Sequence, residues 1–158
     1  MDLVNALHGI DETADWVGLR HYSEGVTYRS VRDSAPEANR ERATEGVMVE
    51  ALIDGQLGYF GTCDISQGGI NNAAKRAIQQ AKAGSEHSLF PFSPDVRPLS
   101  KGSYKSNINK DFDSMTPEDL NEVLMFANDT LKSSEKIISV MAMAILVDTN
   151  INYVCSKG

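Results

Sequence analysis

The stretch GVMVEALIDGQLGYFGTCDIS, residues 46–66, decides how the chain is read. Asp54 and Gly55 sit between two alternating apolar runs, and this dipeptide suits the two positive φ angles of a type I′ hairpin turn. A two-residue turn fixes the register, because a slip of one residue would send every side chain to the other face. Ile53 then faces Gln56, Ala51 faces Gly58, Val49 faces Phe60 and Val47 faces Thr62, all on one side of the sheet. That side is mostly apolar. The other carries Met48, Glu50, Leu52, Leu57 and Tyr59, a mixture suited to a partly covered surface.

The segment after this hairpin explains one of its glycines. Ile70, Ala73, Ala74, Ala77, Ile78 and Ala81 follow the spacing of a single helical face, with Ser66 as N-cap and Gly84 as C-terminal stop. Four alanines among six apolar positions let a helix lie very close to what it covers. Gly58, opposite Ala51, leaves a shallow place on the sheet to receive it. Gly61 falls on the other face, where a bend or a close backbone approach would account for it.

Working outward, Leu3, Val4 and Leu7 suggest the last turns of a helix, clipped at its start and stopped by Gly9. Residues 15–22 and 26–33, rich in aromatic and β-branched types, read as a hairpin around Ser23-Glu24-Gly25. Residues 34–45, with Pro36 and many charges, read as an exposed loop. The stretch 85–110 holds Pro91, Pro94 and Pro98 without periodicity and reads as an extended surface crossing. Thr116-Pro117-Glu118-Asp119 announces a helix with a threonine cap and acids in the first turn, its apolar face formed by Leu120, Val123, Leu124, Ala127 and Leu131. The run Ile137–Val147 is apolar at every alternation, as an interior strand or a buried helix segment would be. Its length and the turn-like Asp148-Thr149-Asn150 favour a strand, with residues 152–155 returning beside it. The whole reads as one α+β domain, residues 1–158, with an antiparallel or mixed β-sheet and helices packed on one face.

At 158 residues, with 41% hydrophobic and 23% charged residues, the chain suits a globular protein with a real core. No apolar run is long enough to cross a bilayer, and Met1–Asn5 lacks the basic and hydrophobic segments of a secretory signal. A cytoplasmic protein without membrane partners is the expectation. The net charge of −7 repels a phosphate backbone, and Arg29, Arg32, Arg40 and Arg42 alternate with Asp33, Glu37, Glu41 and Glu45, a solvated face rather than a nucleic-acid site. Cys63 and Cys155 are read as buried free thiols.

Each remaining chemical signal has a plainer explanation. The three histidines, His8, His21 and His87, have no second histidine four residues on and are followed by Gly9, Tyr22 and Ser88 rather than glutamate, so the pattern of a zinc-binding helix is missing. His21 reads as a surface or packing residue. Asp111, Asp113, Glu118 and Asp119 lack the acid order and central glycine of a calcium loop and serve helix capping and solubility. Ser66-Gln67-Gly68-Gly69 lacks the Lys-Ser/Thr ending of a phosphate loop and eases the chain into a helix. The sequence therefore names no catalytic, cofactor-binding or metal-ligating residue.

Residues 42–49 (RATEGVMV), the Asp54–Thr62 stretch and the alanine-rich helix after it together resemble the amino-terminal domain of TldD/PmbA proteins, also called modulator of DNA gyrase. Ala14-Asp15 and Arg20 fit that family's first strand, and Ser156-Lys157-Gly158 sits where its members close a strand. Glu50 stands where a basic residue is usual. The resemblance implies a substrate-groove-forming part of a metal-dependent peptidase system that acts on peptides or unfolded segments as a homo- or heterodimer. The family's zinc centre, a His-Glu-x-x-x-His helix with a later cysteine, has no counterpart in these residues, so the chain alone is expected to be inactive and without cofactor. The alternative is a noncatalytic peptide-binding or dimer-partner module of the same family. The groove residues are unknown at this point.

Overall fold

Asp54 and Gly55 turn the chain with φ angles of 48° and 76°, and the strands they join pair in the register that the turn dictates. Val47 faces Thr62, Val49 faces Phe60, Ala51 faces Gly58 and Ile53 faces Gln56. The computed structural model describes residues 1–93, 95, 101–109 and 114–157. Within them the elements run α1 (Leu3–His8), β1 (Trp16–Arg32), β2 (Ala35–Ile53), β3 (Gln56–Thr62), α2 (Gln67–Ser85), α3 (Pro117–Leu131) and β4 (Met141–Cys155). The strands form one antiparallel sheet in the order β3-β2-β1-β4, and the fold is α+β.

The chain divides into two compact units. The first comprises Met1–Ser23, Thr44–Gly102 and Thr149–Gly158. Its core sets Val17 and Leu19 of β1 and Val47, Val49, Ala51 and Ile53 of β2 against the Ile70-Ala73-Ala74-Ala77-Ile78-Ala81 face of α2, with Leu3 and Ala6 of α1 beside them. Burying each isoleucine contributes about 2–3 kcal/mol. Helix α2 starts as expected, with the Ser66 hydroxyl accepting from Gly69 N–H at 3.2 Å. It runs through Gly84 to Ser85, one residue further than the glycine suggested. Gly58 is where helix and sheet come closest: a Cβ there would overlap the Ala77 carbonyl oxygen and stand 2.8 Å from Ala81 N. At Gly61 an added Cβ meets nothing within 4 Å, so a close backbone approach does not explain that glycine.

The second unit comprises Glu24–Ala43 and Ser103–Asp148. Helix α3 opens with a capping box in which Thr116 and Asp119 each accept from the other's backbone N–H. Its buried residues are Leu120, Leu124 and Asn128, while Val123 and Leu131, expected on the apolar face, are exposed. Leu124 packs with Val31 and Ala142. Asn128 takes the third place on the face because its amide is fully used: Nδ2 donates to the carbonyls of Val31 (3.3 Å) and Val140 (3.1 Å), and Oδ1 accepts from Ser34 N–H (2.8 Å).

Several expected boundaries are corrected. Ser23-Glu24-Gly25 is not a turn; the strand continues through it, and the chain reverses at Asp33-Ser34, whose φ angles are 49° and 61°. Residues 35–45 are not a loop but the first half of β2. Their side chains stay mostly exposed as anticipated, yet ion pairs to β1 hold them in a ladder: Arg32–Glu37 at 2.8 Å and Arg29–Glu41 at 3.3 Å. Arg29 is consequently buried, not part of a solvated face. No turn occurs at Asp148-Thr149-Asn150, and β4 is one strand through to Cys155. Helix α1 spans Leu3–His8 with Asp2 as its N-cap, which accepts from Val4 and Asn5 N–H at 3.1 Å each. No disulfide joins Cys63 and Cys155, and neither is buried as expected: Cys63 is exposed and Cys155 half-buried. Asp111 and Asp113, like Pro94 and Pro98, lie outside the described residues.

Two outcomes follow. Gly58→Val forces α2 off the sheet and should cost at least about 3 kcal/mol, whereas Gly61→Ala should stabilise by up to about 1 kcal/mol; urea unfolding of the two variants checks the pair. The Asp33 carboxyl lies below its ordinary pKa because it accepts from Val140 N–H (2.9 Å) and Ser139 Oγ (3.0 Å). A carboxyl depressed in the folded state contributes stability above its unfolded pKa and loses it as pH falls through the folded one. Asp33→Asn should therefore be the less stable protein near neutrality, and the gap should close between about pH 5 and pH 2, as read by denaturant midpoints.

Candidate functional site

A sheet edge exposes backbone N–H and C=O groups that can pair with another chain, and this sheet has its edges at β3 and β4. The β3 edge is short and attended by α2: Gln80 Oε1 accepts from Tyr59 N–H at 2.9 Å, and Gly58 lies under the helix backbone. The β4 edge is different. Asp33 N–H donates to Val140 O at 3.0 Å and Ser156 N–H to Val17 O at 2.8 Å, so β1 and β4 pair antiparallel in the same register at their two ends. Even-numbered residues of β4 bond β1, and odd-numbered ones turn their N–H and C=O groups outward.

The odd positions are also the apolar ones. Met141, Met143, Ile145 and Val147 are 37%, 50%, 55% and 44% exposed, whereas Ala142 on the opposite face is buried with α3. The sequence suggested an interior strand here. The correction has a physical reason: apolar alternation reports what a strand prefers to touch, not whether this chain supplies it. The usable signals were an uncharged run from Ile137 to Val147 and the lack of a glycine at 148–150 for the supposed turn. Residues 27–53 lie on β1, on β2 and in the reversal between them, the interior strands of the sheet.

Within the first unit a cleft of about 1310 Å³ opens between α1, the start of β1 and the end of β4, lined by Leu7, Ile10, Trp16, Arg20, Tyr153 and Lys157 among others. Gly18 lies against two of its lining residues: a Cβ there would stand 2.7 Å from both the Trp16 ring and the Tyr153 hydroxyl. The Arg20 guanidinium lies 5.9 Å from the Tyr153 ring centre and donates to Glu50 Oε1 at 3.1 Å. That pairing explains why a glutamate is tolerated at a buried position of β2. Lys157 is likewise joined to Asp95 at 3.1 Å, which holds that carboxyl below its ordinary pKa.

His21, expected to pack, is buried with Nε2 2.8 Å from Glu45 Oε1. Ser66 to Gly69 form the cap and first turn of α2, and Glu118 and Asp119 the first turn of α3. Among the described residues no three His, Cys, Asp or Glu side chains gather closely enough to hold a metal ion. No helix of these residues is long and apolar enough to cross a membrane.

Residues 17–81 match the family model of PmbA/TldA metallopeptidase domain 1. A comparison with curated proteins by sequence finds no match. Among solved structures, a protein from Bacteroides thetaiotaomicron described as a modulator of DNA gyrase superposes with a TM-score of 0.72 at 19% identity, over 98% of this chain and 36% of its own. TldE from Thermococcus kodakarensis gives 0.72 at 16% identity, over 99% and 35%. A modulator of DNA gyrase from Thermotoga maritima gives 0.61 at 11%, over 87% and 31%. The chain thus spans about a third of the length of the structures it resembles. The matched residues, 17–81, hold the β2–β3 hairpin and most of α2, and over them the chain is similar to PmbA/TldA metallopeptidase domain 1.

Proposed function

We propose that this chain is the substrate-groove-forming domain of a TldD/PmbA-like metal-dependent peptidase system, working beside a subunit of the same type on peptides or unfolded segments in the cytoplasm. The observation that supports this reading is the β4 edge, 15 residues long, with outward-turned backbone groups and an apolar exposed row, in a chain whose residues 17–81 match a metallopeptidase family model. A sheet edge binds an extended chain through main-chain hydrogen bonds and so tolerates many sequences. It also holds the substrate straight, the conformation in which a peptide bond is accessible.

The described residues do not fit a metal centre, since they gather no donor set. The part derived for this chain is therefore binding and extension, with no hydrolytic step assigned to its own side chains. The alternative of a noncatalytic partner module makes the same use of the edge.

Titration of the 15N-labelled chain with a permanently reduced, unfolded polypeptide tests the reading. Amide shifts should move at Met141, Met143, Ile145 and Val147 and leave β3 unchanged. No shift along β4 at about millimolar ligand, the weak end of specific recognition, would rule the groove out.

A further inference from the structure

We draw no further inference here: the strongest candidate, the cleft between α1, the start of β1 and the end of β4, has its Arg20 and Lys157 already joined to Glu50 and Asp95, and nothing in the structure shows what covers it.

Discussion

The close seating of α2 on the β2–β3 hairpin is the constraint from which the first unit takes its form. Four alanines on the helix face and Gly58 on the strand bring two backbones together, leaving space for neither a β-branched side chain nor water. This contact gives the hairpin an inside. Once Val47, Val49, Ala51 and Ile53 must face the helix, the register cannot slip, and the β3 edge comes to lie where Gln80 can attend it. Among the described residues no helix attends the other edge in this way.

The hairpin and α2 were legible because several local signals agreed: the Asp54-Gly55 turn, alternation on both strands, the Ser66 cap and the alanine spacing. Helix α3 was legible at its start for the same reason. Its buried face was not, since Asn128 occupies a position that apolar periodicity assigns to hydrophobic residues. Only the arrival of three backbone groups from elsewhere in the chain makes an amide suitable there. The Asp33-Ser34 reversal escaped notice because neither residue is glycine, while Ser23-Glu24-Gly25 drew attention because one is. A glycine permits a turn without requiring it, and the strand partners of residues 23–25 decide the matter. Polarity misled in the same way at residues 35–45, where cross-strand ion pairs support a strand whose side chains remain in water.

The candidate site was legible as chemistry in one sense only. Sequence spacing gave no ligand set or nucleophile, and family resemblance supplied the expectation of a groove without its residues. What located an edge was topology: β1 and β4 pair across more than a hundred residues of sequence, a relation that no local pattern reveals. The apolar run 137–147 was visible from the start, and its reading as interior was the natural one. In the structure it is a surface whose composition belongs to an interior, consistent with a role that is completed by another strand.

Residue-resolved amide hydrogen exchange along β4 tests this account most directly. The amides of Ala142, Ala144 and Leu146 should exchange slowly through their bonds to β1, and those of Met143, Ile145 and Val147 should exchange fast until an extended peptide is added. Uniform protection of both sets in the free chain, or protection of the odd set alone, would contradict it.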